Sequence, residues 1–163
     1  MKKILVLSDS HGAMRYMEQA IDRVRPELVI HLGDHLSDAE ELRREYPNIP
    51  MLYVSGNCDG HFGRQDTIST VIDGVPVLLT HGHRYSVKNG YTRLEYAAME
   101  QQVKLVLFGH THIPYCAELG GIWYLNPGSC SGYGTPWCGI VEIEKEKLLC
   151  YNLKILMEDG EKI

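Results

Sequence analysis

Two histidines one residue apart, His110 and His112, follow the apolar run Leu105-Val106-Leu107-Phe108 and a single glycine, Gly109. On a strand, alternate side chains point to one face, so both imidazoles could enter one pocket. If the chain turns there instead, Gly109 lets it turn without steric cost. Imidazole is the commonest metal ligand among side chains. The pair alone also fits ordinary loop histidines, so the question passes to the other strand ends. Those carry the same chemistry: Asp9 and His11 after Ile4-Leu5-Val6-Leu7, Asp34 after Leu28-Val29-Ile30-His31-Leu32, Asn57 after Met51-Leu52-Tyr53-Val54, and His81 after residues 75–80. Mixed nitrogen and oxygen donors of this kind suit Mn, Fe, Zn, Ni or Co rather than Ca or Mg. Asp9, His11, Asp34, Asn57, His81, His110 and His112 exceed what one ion with open positions needs and suit two ions sharing a carboxylate. Each has a plainer reading by itself: Asp9 and Asp34 as helix caps, Asn57 as a turn residue, His81 as a hydrogen-bonded strand-end histidine. Accidental convergence of all seven on one sheet edge is the less economical account.

The elements that must bring them together are legible in order. Residues 2–7 read as a short buried strand. Residues 13–25 carry Met14, Met17, Ile21 and Val24 on one helical face, and Pro26 stops the helix. A second strand covers 28–32. Residues 37–46 read as a helix with Ser37 as N-cap and Glu40 three residues on, closed by Pro47. A third strand covers 51–54. Strand, helix, strand, helix, strand is the pattern of parallel βαβ units, whose functional crevice lies outside the carboxyl ends of the strands. Asp73-Gly74 between 67–72 and 75–80 signals a hairpin. Residues 89–103 predict a helix with Tyr91, Leu94, Ala97 and Ala98 inward, and 104–108 a strand. Strand-like pieces follow at 114–118, 122–125, 139–144 and 147–156, with a turn at Asn126-Pro127-Gly128-Ser129.

The 163 residues are enough for one domain with a real core, and no linker or repeat divides them, so one domain over 1–163 is expected. The net charge of −5 gives no basic footprint, which argues against a stable nucleic-acid complex but not against a small nucleotide substrate. Met1-Lys2-Lys3 leads into only a few apolar residues, which does not resemble a signal peptide, and no run approaches a membrane span. The five cysteines are odd in number and form no CxxC pair, as expected of reduced thiols in a cytoplasmic protein.

Asp9-Ser10-His11, Gly33-Asp34, Gly56-Asn57-Cys58-Asp59, His81-Gly82-His83 and Gly109-His110-Thr111-His112 stand in the block order of the calcineurin-like metallophosphoesterases. The chain resembles most the small YfcE-like bacterial and archaeal phosphodiesterases, from Lys3 to the Asn126–Ser129 turn. The resemblance implies an α/β (α+β) fold, a four-layer αββα sandwich of two mixed β-sheets packed face to face with flanking helices. It implies Asp9, His11 and His112 on a first divalent metal, Asn57, His81 and His110 on a second, and Asp34 bridging, with Mn the leading candidate. The implied reaction is in-line attack on a small phosphodiester by a hydroxide held between the ions, Asn57 stabilising charge on the phosphoryl oxygens. A homo-oligomer is compatible with it; no membrane or nucleic-acid partner is expected.

One position departs from the superfamily's protein phosphatases. They place a histidine after the metal-binding Asn, to protonate the leaving oxygen; this chain has Cys58. A thiol is a weak hydrogen bonder and burial raises its pKa, so Cys58 makes a poor general acid. The expectation is an enzyme that prefers good leaving groups or relies on a metal or another residue for the leaving oxygen. His83 and Arg84 could touch phosphate, the guanidinium being the better fork for its oxygens, or lie exposed at the surface. Asp59 reads as finishing the Asn57–Gly60 turn or, second to that, as orienting a neighbour in the site. His31 reads as packing beside the second strand, and His35 and His61 as loop residues near the mouth. Tyr133 and Trp137 could line a pocket for a base or aryl group, or serve a core or dimer contact. The rival function is a protein-binding scaffold like the eukaryotic retromer subunit of this fold, whose metal site is impaired; a scaffold has no need of all seven ligands. A DNA-end nuclease of the superfamily would be longer, with added nucleic-acid-binding parts.

Overall fold

The computed structural model describes residues 1–60 and 65–155. The first half alternates β1 (Lys2–Leu7), α1 (Met14–Val24), β2 (Leu28–His31), α2 (Leu36–Glu45) and β3 (Met51–Tyr53). These strands pair in parallel, Ile4 opposite Leu28 and Ile30 opposite Leu52. The hairpin of β4 (Thr67–Ile72) and β5 (Val75–Thr80) then opens a second sheet, followed by α3 (Thr92–Glu100) and β6 (Leu105–Phe108). Next come β7 (Tyr115–Leu119), β8 (Ile122–Asn126), β9 (Trp137–Glu144) and β10 (Lys147–Lys154). The chain returns through β9, which pairs antiparallel with β1 and closes the first sheet in the order β10-β9-β1-β2-β3; the second is β4-β5-β6-β8-β7.

Three apolar layers hold four structural layers. Ile4, Val6, Ile30 and Val141 of the first sheet meet Val77, Leu79, Leu105 and Leu107 of the second. On the outer face of the first sheet, Leu5, Leu7 and Ile140 pack on Met17, Ala20 and Ile21 of α1 and Leu42 of α2. On the outer face of the second, Leu78, Val106 and Phe108 pack on Leu94 and Ala98 of α3. Strands buried on both faces read as continuous apolar runs rather than alternating ones. That is why Ile4-Leu5-Val6-Leu7 and Leu105-Val106-Leu107-Phe108 are wholly buried. The four-layer αββα sandwich follows.

Several boundaries differ from the sequence reading for definable reasons. Ser37 does not cap α2: the helix starts at Leu36, with His35 as N-cap in the left-handed region and no side-chain cap of its own. The helix predicted over 89–103 is shorter, because Gly90 at φ 116° separates a 3₁₀ turn at Val87–Asn89 from α3. β9 begins at Trp137, two residues early, where Trp137 pairs with Lys154. β7 begins after Pro114, which has no N–H to give a ladder. Position 156 of the last predicted strand and His61 lie outside the described residues. All five cysteines are unpaired. Among the described residues no helix is long and apolar enough to cross a membrane.

Candidate metal centre

The parallel strands β1, β2 and β3 of one sheet and β5 and β6 of the other end on the same side, and their carboxyl ends carry the seven polar residues. Asp9, His11, Asp34 and His112 each offer a ligand atom, all within 4.8 Å of one another. Beside this group, Nε2 of His81 lies 3.1 Å from Asn57 Oδ1, 3.2 Å from His110 Nδ1 and 3.6 Å from Asp34 Oδ1. The structure therefore brings together all seven residues. Asp34 lies in the first group and 3.6 Å from His81 of the second, and Asp9 Oδ1 is 3.9 Å from the same His81 nitrogen. His112 is found in the first group, while His110 is beside His81.

The backbone around these residues is unusual. Asp9 (φ 54°), His11 (45°), Asp34 (59°), His110 (71°) and His112 (62°) all lie in the left-handed region. Non-glycine residues adopt it sparingly, Asp and His more readily than most, and it recurs at functional sites. The strand ends at Phe108, so His110 and His112 do not share a face by strand alternation. Gly109 is required for another reason than turning: a Cβ there would collide with the Ser8 hydroxyl and come within 3.0 Å of Asp9 Oδ2.

Asp9 Oδ2 accepts from Ser8 Oγ at 2.5 Å and from the His110 N–H at 3.1 Å. Its buried Oδ1 faces two imidazoles, with His112 Nε2 at 3.2 Å and His81 Nε2 at 3.9 Å, but makes no well-directed hydrogen bond among the described residues. His11 Nε2 is likewise buried without one. Burial pushes the Asp9 carboxyl up, but His112 and His81 beside it and the Ser8 hydrogen bond outweigh that, so its pKa is lowered. Asp9 in turn raises His112. Burial pushes His110 down to about 4, helped by neighbouring His81. A buried carboxylate oxygen and a buried ring nitrogen without well-directed hydrogen bonds, set among further imidazoles and a second carboxylate, are the arrangement a divalent cation satisfies. The donor chemistry fits a borderline transition-metal ion.

The supporting shell was largely missed by sequence reasoning. Asp59, read as a turn residue, receives the N–H groups of Asp34 (2.9 Å), Leu36 (2.8 Å) and Gly56 (2.8 Å). It thereby closes the start of α2 from another loop and fixes the Asp34 backbone. Asp34 Oδ1 accepts from the Cys58 N–H at 3.0 Å, so neither Asp34 nor Asp9 is the cap of a following helix. Asn126, read as part of a turn, is fully buried. Its amide donates at 3.0 Å to both Gly109 O and Thr111 Oγ1, pinning the segment between the two histidines. His31 does more than pack. Its Nδ1 accepts from Gly33 N–H at 3.1 Å, so Nε2 carries the proton toward Ser10 Oγ at 3.0 Å, which donates to Asp38 at 2.7 Å. Burial holds His31 near 4, neutral. A polar residue at the end of an otherwise apolar run was the one sequence signal for His31 and Asn126. Asp59 stood out only as the neighbour of Asn57 in the Gly56–Asp59 block, an orienting role being the second of its two readings, and nothing local marked Asp38.

The remaining candidates sit at the rim. Cys58 is exposed, and partial burial together with the Asp34 charge raises its thiol pKa. His83 stacks 5.5 Å from His81, and its buried Nδ1 has no partner; burial lowers its pKa. Arg84 is paired with Asp66 and 62% exposed, which turns its guanidinium away from a free fork toward a neighbouring carboxylate. His35 sets its ring 4.8 Å from His11, edge on. Tyr133 is 89% exposed and so is no core residue, whereas Trp137 is half-buried under the Lys154 ammonium.

Comparison with known proteins agrees with this geometry. Phosphodiesterase MJ0936 of Methanocaldococcus jannaschii is 32% identical over 164 residues, covering 89% of this chain and 95% of that protein. The crystal structure of a predicted phosphoesterase from Streptococcus pneumoniae TIGR4 superposes with a TM-score of 0.75 at 31% identity, over 94% of this chain and 89% of that one. Vps29 of Chaetomium thermophilum shares the fold alone: TM-score 0.78 at 18% identity, over 98% of this chain and 89% of that one. The family model for the calcineurin-like phosphoesterase superfamily domain matches residues 1–146, and with the strand-end cluster in place the chain belongs to that superfamily.

Proposed function

We propose that the protein is a phosphodiesterase that uses two divalent metal ions on a small or nucleotide-like phosphodiester. The observation that carries this reading is the seven-residue cluster, with Asp9 Oδ1 and His11 Nε2 buried there without a well-directed hydrogen bond among the described residues, Oδ1 facing the His112 ring at 3.2 Å. In this reading Asp9, His11 and His112 hold one ion and Asn57, His81 and His110 the other, with Asp34 shared. The short separations within each set, and the position of Asp34 in both, support the division. Mn leads the candidates, with Ni, Zn, Fe and Co also suited to these donors. When bound, such ions lower the pKa of coordinated water and offset charge on phosphoryl oxygens.

The chain's own residues do the rest. Asn57 is exposed at the mouth, where its amide can orient a phosphoryl oxygen while Oδ1 faces His81. Cys58 stays a protonated thiol at neutral pH, but a thiol donates weakly, so departure of a poor leaving group gets little help. His83, its ring 5.5 Å from that of His81, would contact the substrate's outer oxygens in this reading.

The test is metal analysis of purified protein together with hydrolysis of bis(4-nitrophenyl) phosphate, before and after chelation, with Mn, Ni, Zn or Mg restored singly. About two ions per chain and hydrolysis that returns with a transition metal are expected. Stoichiometric metal without hydrolysis of any diester or monoester would overturn the reading in favour of a scaffold.

A further inference from the structure

Next to His11 and His112 opens a cavity of about 440 Å³, the size of a small-ligand site. Its far wall is the segment 129–135, which contributes Ser129, Ser131, Tyr133 and Thr135. The segment is built rather than loose. Trp137 N–H closes it onto Ser129 O at 2.9 Å, and Ser131 N–H folds back to Ser129 Oγ at 3.1 Å. The Ser129 hydroxyl donates to Asp9 O at 2.8 Å, so the loop is anchored to the metal centre's own backbone. Gly132, at φ 80°, lies flat against the Tyr16 ring, where any side chain would collide. All this fixes the base of a projecting Tyr133 that is 89% exposed. A large aromatic projecting, almost wholly exposed, from a hydrogen-bonded loop at the mouth of a polar cavity is a ready platform for another ring.

The lining contains no Lys or Arg among the described residues, so no permanent cation there marks a second phosphate. Beyond the imidazoles of His11, His35 and His112 it offers hydroxyls and one large aromatic face. We infer that the segment 129–135 is a substrate-selecting loop, that one ester group of the substrate is a nucleoside, and that its base stacks on Tyr133 with its sugar hydroxyls toward Ser131 and Thr135. This rests on the phosphodiesterase reading of the adjoining centre.

The experiment compares thymidine 5′-(4-nitrophenyl phosphate) with ethyl 4-nitrophenyl phosphate on metal-loaded wild type, Tyr133→Ala, Tyr133→Phe and the surface control Tyr96→Ala. Wild type should favour the nucleoside ester through a lower KM. The ratio of kcat/KM between the two esters should fall about tenfold in Tyr133→Ala and persist in Tyr133→Phe and Tyr96→Ala. Calorimetric binding of thymidine 5′-monophosphate against inorganic phosphate reads the same ring dependence without turnover. Hydrolysis with no nucleoside preference, or an unchanged ratio in Tyr133→Ala, overturns the inference and leaves the phosphodiesterase reading intact. No hydrolysis of either ester with any metal overturns that reading instead. Nucleotide binding weakened in Tyr133→Ala would then still uphold the ring site, and binding indifferent to the substitution would overturn it.

Discussion

The Nδ1 atom of His81 and the carbonyl oxygen of Leu32 lie 2.7 Å apart, tying the end of β5 in one sheet to the end of β2 in the other. A carbonyl only accepts, so Nδ1 carries the proton and Nε2 turns its lone pair toward Asn57, His110 and Asp34. Outer contacts of this kind set ring orientation and basicity at metal sites. His81→Gln should therefore lose one ion of the pair, with metal content falling from about two per chain to about one by elemental analysis. Diester hydrolysis should fall at least about 100-fold, beyond the range for outer-shell changes. Full occupancy of both sites in this variant would contradict the assignment of His81.

Asp34 is the residue common to both groups, 3.6 Å from His81 Nε2 and within the Asp9, His11, His112 cluster. Asp34→Asn keeps the volume and one oxygen but removes the charge. Hydrolysis should be abolished and both ions weakened at once, while circular dichroism stays that of the wild type. Wild-type activity in Asp34→Asn would break the two-ion scheme.

Asp59 accepts from three backbone N–H groups, those of Asp34, Leu36 and Gly56, which make no other hydrogen bond among the described residues. Asp59→Ala leaves those donors unmet and should destabilise the fold by about 3 kcal/mol, lowering Tm by about 6–12 °C. Because Asp34 N–H is one of the three, metal affinity should weaken about 10–100-fold as well. Asp59→Asn, which retains one acceptor oxygen, should fall between the two proteins. A variant that loses stability but keeps its metal affinity would show that the carboxylate serves the fold alone.

The buried His31 titrates near 4, against 6.5 for an unperturbed ring. Above 6.5 the ring is neutral in both folded and unfolded chains. Between 6.5 and 4 the unfolded chain takes up a proton and the folded one does not, so stability falls as pH falls through that window. The loss is on the order of 3 kcal/mol in all. Urea melts of metal-free wild type and His31→Gln across pH 4–7 should give a stability difference that shrinks toward low pH. A pH-independent difference would mean that His31 accepts a proton in place.

Cys58 follows Asn57 at the mouth of the site, and its raised thiol pKa leaves it a weak proton donor. Rates across a series of aryl and alkyl diesters should fall steeply as the leaving-group pKa rises. A flat dependence would show that some group protonates the departing oxygen efficiently.

The order of elements was legible because buried parallel strands must be continuous apolar runs and helices must show one apolar face. Ile4–Leu7, the α1 face through Met17 and Ile21, and the Asp73-Gly74 hairpin all formed where the pattern placed them. Boundaries moved where a single backbone preference intervened, as Gly90 cut the front of α3. The helix start at Leu36 was misplaced because its cap does not come from Ser37 nearby but from Asp59, a carboxylate across the site.

By itself the sequence determined which residues carry metal-class donors and that each follows a strand, since residue type and apolar patterning are local properties. Only the tertiary structure decided that Asp9, Asp34 and the histidines meet in one cluster, with His112 beside Asp9 and His110 beside His81. It also decided that Asp59, Asn126 and the chain of His31, Ser10 and Asp38 hold them there. Those outcomes depend on left-handed backbone angles at the ligand residues and on hydrogen bonds between segments up to about a hundred residues apart, such as His110 N–H to Asp9. Neither leaves a trace in local periodicity, because both are settled by how two sheets pack rather than by what any one stretch prefers.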